Sequence, residues 1–549
     1  MPMDEEKKSS ADVANAKDGE VKTASPVGVP LVKEHTGMSL HPQPTTDPLD
    51  PLNWSPARKH SILAIVMALY FMFTAITTIT VPSFAELQEQ YNANLGQINW
   101  TVAIPALGLA VGPVVWSSVA DAIGRRIIFI VGTVIAFAAT IGAAKAPSYG
   151  GYMAARFFQG FGVSPAATVG LAIINDCFFE HERGQKVGLW VLAIDMGLLV
   201  GPLLGGFLNL VDHYWIQWFT AILFGVILVA ELLFLPETLY PRNFMHQRGT
   251  THSTDGLDEK NIGQQNTSSL TPEIKRTKNL AFVNIKTVPE IKPPKPWDSL
   301  IRFGMTWYFL PVAIAVFSYC FCWYWWILSI ITMIPSAYSQ HPPQIQGLLF
   351  LGLIIGTLVS EVLCSGTLSD RIVQRQARKM DGIRVAEMRL WLAYPAALLS
   401  ASKSHRASFS NRKTFLKLIC IPVGLIIWGI SIDKSYHWMV GQVAFFLFAA
   451  GLQMGNTVVC SYIVDCYPLQ SMSMIVFYAV LLNLSAFINP FFIAPWVTAS
   501  GYTWTFAAQG IITFFGGTAS LAFLHWKGAA LRAKCGMPTW VNPEYETNR

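Results

Sequence analysis

The sequence predicts an all-α membrane protein with twelve transmembrane helices in two pseudo-symmetric six-helix bundles. The first observation is composition, because 52% of the 549 residues are hydrophobic and only 13% are charged. The second is that the apolar residues form runs of about 20, the length that crosses the hydrocarbon core of a bilayer. The third is a long polar segment that separates six such runs from six more.

The apolar runs divide the chain into five parts. Residues 1–57 contain no apolar run and are rich in charged residues, Pro and Ser, so we expect a disordered cytosolic tail. The first bundle is expected over 58–236, a central loop over 237–300, the second bundle over 301–526 and a second tail over 527–549. The predicted spans lie near 61–83, 98–119, 127–146, 152–175, 187–210, 216–236, 306–334, 345–366, 415–432, 438–463, 473–495 and 503–525.

The basic residues indicate on which side of the membrane each loop lies. The central loop carries nine Lys and Arg, whereas the loop over 84–99 has acids and no cation. Since cytosolic loops are enriched in Lys and Arg, the central loop and both termini are predicted to be cytosolic. The net charge of +6 therefore indicates a membrane face and no nucleic-acid partner. We expect the plasma membrane, with a vacuolar or vesicular membrane as the alternative.

One segment interrupts the pattern of spans. Residues 400–415, SASKSHRASFSNRKTF, insert Lys, Arg and His before apolar sequence resumes at Leu416. Either the ninth span begins late, with 391–399 lying at the membrane interface, or the insertion is foreign to the fold, for instance translated intron sequence. We favour the second hypothesis, which a transcript encoding these residues continuously would exclude.

The stretch GLWVLAIDMGLLVGPLLGG in the fifth span, residues 188–206, places small residues on one helix face. Gly197, Gly201 and Gly205 recur every four residues and let a second backbone approach closely. In a soluble helix each Gly would cost about 1 kcal/mol relative to Ala, so these residues favour a packed membrane span. Asp195 lies about 200° around the helix from Gly197, away from the glycine face.

Two further motifs place charges at the spans. In SSVADAIGRR, Asp121 stands at the inner end of the second span and can bind a helix N-terminus or the arginines that follow, with Asp176 as a candidate partner for those arginines. In RFFQGFG, an arginine on the fourth span would cost about 2.5–3.5 kcal/mol unless it pairs, meets water or snorkels. The residues concerned are Gly124, Arg125 and Arg126 in the first motif, and Arg156, Gln159 and Gly160 in the second.

Four acids are candidates for proton coupling. A carboxylate that moves between apolar surroundings and water exchanges a proton, because burial favours the neutral form. Asp195 is the deepest, and for it we favour a structural packing pair over the alternative of coupling or substrate contact. Glu231, Glu361 and Asp465 lie near span ends, where solvated or structural roles compete. The first span has no acid, so the coupling ion and stoichiometry stay open.

A central cavity would take residues from both halves. Aromatic side chains at helical spacing on the seventh span suit a planar or amphipathic organic molecule if they line that cavity, although such stripes also occur on packing and lipid-facing surfaces. The candidates are Thr74, Thr77, Thr78, Tyr319, Trp323, Trp326, Gln453 and Asn456.

Together these features resemble the major facilitator superfamily, and within it the fungal twelve-span drug:proton antiporter branch, over residues 48–530. The resemblance implies a cytosolic gate in the SSVADAIGRR motif, repeated in the second half, and proton coupling through Arg156 and Gln159, whereas Asp195 is a coupling candidate from its depth in the fifth span. It also implies that the fifth-span motif packs where the two halves meet. The repeated gate residues are Gly366 and Asp370, and the packing residues are Gly188, Gly197, Gly201, Pro202, Gly205 and Gly206.

The predicted function is secondary active export of a drug, toxin or secondary metabolite by alternating access, driven by the proton gradient. The sequence contains no G-x-x-x-x-G-K-[ST] loop, no nucleophile and base arrangement and no metal-ligand spacing, so we expect no ATP, cofactor, metal or enzymatic activity. The expected partners are a small-molecule substrate and the lipid bilayer, with the chain acting as a monomer. Two alternatives stay open: uptake of an amine-like nutrient, with acids such as Asp195 as cation partners, and a non-transporting receptor.

The run PETLYPR after the sixth span, residues 236–242, resembles a sugar-porter signature, but SDRIVQRQ lacks the doubled arginines of that family. We therefore do not infer a sugar substrate. The run DPLDPLNW before the first span is typical of fungal drug-transporter relatives.

Overall fold

The computed structural model describes residues 44–45, 47–240, 295, 297–362, 375, 386–392, 420–467, 470–536 and 538. Within them, ten helices are long and apolar enough to cross a membrane, the last covering two spans, and a shorter apolar helix fills the place of the ninth. The predicted fold class is thus confirmed. The helices α1 to α12 are Pro56–Thr78, Leu95–Ile123, Arg125–Ala144, Tyr149–Cys177, Glu180–Leu208, Tyr214–Phe234, Leu310–Ala337, Pro343–Ser360, Cys420–Asp433, Trp438–Cys466, 471–500 and 501–535.

Several of the long helices are irregular at identifiable residues. Helix α4 breaks between Val163 and Pro165, because proline has no backbone N–H for the preceding turn. Helix α7 widens to π-helical turns over Tyr319–Tyr324, and α12 does the same over Thr513–Gly517. Gly501 has φ +73°, which separates α11 from α12. Such π-helical turns are frequent at functional sites.

The two halves touch each other near both ends of the bundle. At the end predicted to face outwards, Asn99 of α2 donates to the Pro490 carbonyl of α11 at 3.3 Å. At the end predicted to be cytosolic, the Ser118 hydroxyl of α2 lies 2.5 Å from that of Ser299, in the short helix Asp298–Thr306 before α7. Polar groups between these contacts are therefore enclosed by the two halves.

The chain on each side of the atypical insertion packs into the second bundle. The short helix Ala386–Leu392 lies against α10 and α12, since Arg389 pairs with Asp465 and Glu387 pairs with Arg532. After the insertion, Gly424 of α9 packs closely on α10. Residues 400–415 lie outside the described residues, so the choice between a late span and a foreign insertion stays a prediction.

Candidate functional site

Asp195 and Asn456 connect the two halves through a hydrogen bond midway along their helices. Asn456 of α10 donates its Nδ2 to Asp195 Oδ2 of α5 at 2.8 Å. The Tyr478 hydroxyl of α11 donates to Asn456 Oδ1 at 2.6 Å, and this donor fixes the amide so that its NH₂ group faces the carboxylate. All three side chains are buried. The structure brings together a predicted coupling acid and a predicted cavity residue.

A second carboxylate lies close to this contact. Gln453, one turn before Asn456 on α10, donates its Nε2 to Glu361 Oε2 at 2.8 Å. Glu361 follows α8, and its Oε1 would lie 3.1 Å from a Cβ atom placed on Gly188 of α5. Glu361 therefore lies, like Asp195, at the boundary between the two halves. We call the residues Asp195, Tyr319, Glu361, Gln453, Asn456 and Tyr478 the interface cluster.

Aromatic side chains lie next to the interface cluster. Tyr319 of α7 stacks on Tyr478 with ring centroids 6.1 Å apart, and the ring of Tyr324 lies 6.2 Å from that of Tyr319. Tyr70 stacks on Trp190 of α5, with ring centroids 4.1 Å apart. In the described part of the chain no Lys or Arg forms an ion pair with Asp195, and no three metal-binding side chains come together.

The threonines predicted to line a cavity from α1 instead join α1 to α5. Thr74 donates to the Ile194 carbonyl at 2.5 Å, and Thr78 donates to the Leu198 carbonyl at 2.9 Å. Thr77 donates to the Thr74 carbonyl within its own helix at 2.6 Å. The hydroxyls of Thr74 and Thr78 hold two helices of the first half together, and the cavity role of these threonines stays a prediction.

The tryptophans predicted to line the cavity from α7 pack mainly inside the second half. A Cβ atom on Gly455 of α10 would lie 2.5 Å from the Trp323 ring, and one on Gly517 of α12 would lie 1.9 Å from its Nε1. Trp326 donates to the Cys322 carbonyl at 2.8 Å. Both indoles are buried, so here they act as core, whereas Tyr319 of this stripe stacks on Tyr478, which donates to Asn456.

The glycine face of α5 contacts α1, not the second half. A Cβ atom would lie 2.0 Å from the Phe71 carbonyl oxygen at Gly197, 3.0 Å from that of Ala75 at Gly201 and 1.9 Å from that of Ile79 at Gly205. The prediction of packing between halves is therefore wrong for these three glycines. Other positions of the motif do meet the second half, namely Gly188 near Glu361, and Pro202 and Gly206 near Gly347.

The predicted gate after α2 contains the expected contact between a basic and an acidic side chain. Arg125 at the start of α3 forms an ion pair with Asp176 at the end of α4. Asp121 is buried beside it, and Gly124 has φ +122°, a conformation that favours glycine. The gating role stays a prediction. Gly366 and Asp370, proposed for the second gate, lie outside the described residues.

Glu237 of PETLYPR contacts the predicted gate and was missed by the sequence reasoning. Its carboxylate accepts the backbone N–H groups of Arg125 at 3.0 Å and of Arg126 at 3.2 Å, so it caps α3. Arg126 also donates its Nη2 to the Leu232 carbonyl of α6 at 2.9 Å. The sequence did contain a signal for this contact, because Glu237 directly follows the sixth span and is predicted to lie on the same side of the membrane as the SSVADAIGRR motif.

Tyr240 of the same run holds the segment that precedes α1. Its hydroxyl donates to Asp47 Oδ2 at 2.9 Å and lies 3.2 Å from the Thr45 hydroxyl. Asp50 accepts from the Thr45 and Leu52 backbone N–H groups at 3.0 Å. Burial raises the pKa of Tyr240. The DPLDPLNW run is thus a docked part of the first half.

The pair of Arg389 and Asp465 in the second half corresponds to the pair of Arg125 and Asp176 in the first. Arg125 lies at the start of α3 and Asp176 near the end of α4, and Arg389 lies in the short helix Ala386–Leu392 that precedes α9 in the chain, with Asp465 near the end of α10. Asp465 therefore has a structural partner, which accords with the structural role that the sequence analysis set against coupling for it.

Arg156 and Gln159 form a polar network that stays within the first half. Arg156 donates its Nη2 to the Thr101 carbonyl of α2 and its Nη1 to Gln159 Oε1, both at 2.9 Å. Gln159 in turn donates to Thr140 of α3 at 2.8 Å and to Gln217 of α6 at 3.0 Å. The network joins four helices around a fully buried guanidinium group, and its coupling role stays a prediction.

Glu231 also lies within the first half, away from the interface cluster. Its Oε1 accepts from the Thr133 hydroxyl of α3 at 2.8 Å, and the side chain is fully buried between α3 and α6. The structure thus separates the four candidate acids. Asp195 and Glu361 meet at the boundary between the halves, whereas Glu231 and Asp465 do not.

Two helical bundles that enclose acids at their common boundary define a class of secondary transporters, in which the bundles move around a central site. Comparison with protein families identifies the family to which the chain belongs. The model of the Major Facilitator Superfamily matches residues 63–402, and the chain belongs to this superfamily. It is therefore a multi-pass membrane transporter and not an enzyme.

Individual relatives agree with this assignment. The chain is 26% identical to the MFS-type efflux pump MFS2 of Trichophyton rubrum, over 89% of this chain and 76% of that protein. It is also 26% identical to the efflux pump radE of Floropilus chiversii, over 83% and 78% of the two chains. A structure of the xylose transporter XylE from E. coli matches in fold alone, with 15% identity, a TM-score of 0.55 and coverage of 86% and 98%.

Proposed function

We propose that the protein exports a small organic compound across a fungal membrane in exchange for protons. The observation that carries the proposal is the hydrogen bond between Asp195 and Asn456, because it places a titratable group where the two halves separate. The efflux relatives favour export over uptake and over a receptor role.

The exchange follows from the location of Asp195. A charged carboxylate in apolar surroundings is costly, whereas water stabilises it. When the halves open towards one side, Asp195 meets water and can release its proton, and when they close it is enclosed again. The carboxylate therefore takes up a proton on one side of the membrane and releases it on the other.

The gate contacts belong to the predicted cytosolic end of the transporter. The Arg125 and Asp176 pair, with Glu237 capping α3, holds the ends of α3, α4 and α6 together as one body. We propose that this rigid end closes against the second half when the site opens outwards. Both termini would be cytosolic, the plasma membrane is the proposed location, and the chain would act as a monomer without ATP.

Growth and accumulation assays test export directly. The chain is expressed in a fungal host that lacks its own efflux pumps, and tolerance to a library of toxic organic compounds is measured at two external pH values. We expect higher tolerance and lower accumulation for a subset of compounds, and a smaller effect when the proton gradient is collapsed.

Matched variants separate transport from folding. Asp195→Asn should abolish the gain in tolerance at unchanged amounts of membrane-inserted protein, because the amide can still accept from Asn456 but does not titrate. Glu89→Gln makes the same chemical change at an exposed site and should behave as the unmodified chain. No change in tolerance or accumulation for any compound with the unmodified chain would contradict the proposed function.

A further inference from the structure

The interface cluster holds two buried polar atoms that have no hydrogen-bond partner in the described chain. Gln453 Oε1 and the Tyr319 hydroxyl are both buried and have no hydrogen-bond partner in the described residues. The Gln453 amide cannot be turned to remove this acceptor, because its Nε2 must face the Glu361 carboxylate. Buried polar groups without partners are uncommon and indicate a missing ligand or water.

Asp195 differs in its partner from three acids of the described chain that pair with an arginine, namely Asp176, Asp465 and Glu387. Among the described residues no arginine pairs with Asp195, which accepts from the neutral amide of Asn456, and the buried guanidinium of Arg156 donates to Thr101 and Gln159 instead. Glu231 also lacks an arginine, but it lies between α3 and α6 and not at the boundary of the halves.

The chemistry of the groups in the interface cluster indicates the class of ligand that they bind. Carboxylates, an amide oxygen and a hydroxyl all accept hydrogen bonds from an ammonium group, which has several N–H donors and a positive charge. Tyr319, Tyr324 and Tyr478 add aromatic rings, whose faces attract cations. An anionic compound would be repelled by both acids, and a neutral one would leave their charge unbalanced.

We propose that the transported compound is a positively charged organic amine, bound with its ammonium group at Asp195 and its apolar part against the tyrosines. The inference rests on the proposed export function. Proton and amine then compete for one carboxylate, so binding of either releases the other. The titratable groups that face Asp195 are Tyr70 of α1, Tyr319 and Tyr324 of α7, Glu361 after α8 and Cys460 of α10.

The test uses matched compounds in the pump-deficient host. The library contains toxic amines that are charged at the growth pH, together with neutral analogues in which a hydroxyl replaces the amine, and anionic compounds of similar size. We expect the unmodified chain to raise tolerance mainly to the amines. Asp195→Asn should lower the tolerated amine concentration by at least about tenfold, the change expected for the loss of one hydrogen bond to a charged group. Asp195→Glu should retain part of the tolerance.

A binding measurement with the purified full chain follows, using the amine that gives the largest tolerance. Tyr319→Phe should weaken its binding by about threefold to tenfold, the range for a lost neutral hydrogen bond. Tyr436→Phe removes a hydroxyl at an exposed position and should leave affinity unchanged. Thermal unfolding of each variant reports whether it folds.

The outcomes distinguish the inference from the function on which it rests. Tolerance that favours neutral or anionic compounds, or that survives Asp195→Asn in full, would overturn the assignment of an amine while export stands. Tolerance to no compound at all would overturn the proposed function itself.

Discussion

The network around Arg156 and the contact between Asp195 and Asn456 both bury charge, but only the second is shared by two moving bodies. Arg156 is held by Thr101 and Gln159, both in the first half. Asp195 is held by a residue of the second half. The first network can therefore persist through a transport cycle, whereas the second contact must break whenever the halves separate.

The difference separates stability from transport. Removing a contact within one half should lower the free energy of unfolding and leave proton coupling in the surviving protein intact. Removing the contact between the halves should change coupling and leave the free energy of unfolding nearly unchanged. Each variant below changes one side chain of known surroundings within the first half, in order of decreasing expected effect.

Arg156→Ala should lower the free energy of unfolding the most, by about 3–5 kcal/mol, because it leaves a cavity and unsatisfied polar groups in a buried site. Thermal or denaturant unfolding in detergent measures this, with Lys527→Ala at an exposed position as the control. Lost proton coupling at an unchanged unfolding midpoint would instead place Arg156 in the transport machinery.

Gly197→Ala should cost about 1–3 kcal/mol, because the added methyl would lie 2.0 Å from the Phe71 carbonyl oxygen and force α1 and α5 apart. Gly142→Ala is the matched control, since its methyl would meet only Ala155, at 3.9 Å. Unfolding midpoints compare the two variants. If Gly197→Ala left stability unchanged and altered transport alone, the glycine face would not be a fixed contact within the first half.

Glu237→Gln should lower stability by about 1 kcal/mol, the usual value of a helix cap, because the neutral amide accepts the α3 N–H groups less strongly. Glu89→Gln at an exposed position makes the same change without a cap. The unfolding midpoints of both variants are measured together. Equal midpoints would show that Glu237 contributes nothing to α3.

Tyr240→Phe should have the smallest effect, about 0.5–1.5 kcal/mol for one lost hydrogen bond to Asp47. Because burial raises the pKa of Tyr240, the folded chain keeps the proton that an unfolded tyrosine loses above about pH 10. Its contribution is thus complete below that pH and declines as the pH rises further. Unfolding at pH 8 and above pH 10 should show a steeper decline for the unmodified chain than for Tyr240→Phe.

The sequence predicted the fold well because membrane spans depend on local composition. Apolar runs and the distribution of Lys and Arg gave twelve spans, and helices occupy all twelve places. It also selected Asp195, Gln453 and Asn456 one by one, since polar residues within apolar runs are conspicuous.

What the sequence could not supply was the partner of each helix face. The spacing of Gly197, Gly201 and Gly205 indicates close approach, but nothing in it distinguishes α1 from a helix of the second half. Thr74 and Thr78 were assigned to a cavity because a hydroxyl on a helix face suits either water or a neighbouring carbonyl. Glu237 was missed because the run around it was compared with a substrate signature, and its contact with α3 depends on tertiary structure.

The most direct test of the central claim measures proton movement in liposomes that contain the purified chain and a trapped pH indicator. A compound identified in the tolerance assay is added on one side, and the proton flux that it triggers is recorded. We predict a flux for the unmodified chain and for Asp195→Glu, and none for Asp195→Asn, at equal amounts of folded protein. An unchanged flux in Asp195→Asn would contradict the assignment of Asp195 as the coupling group.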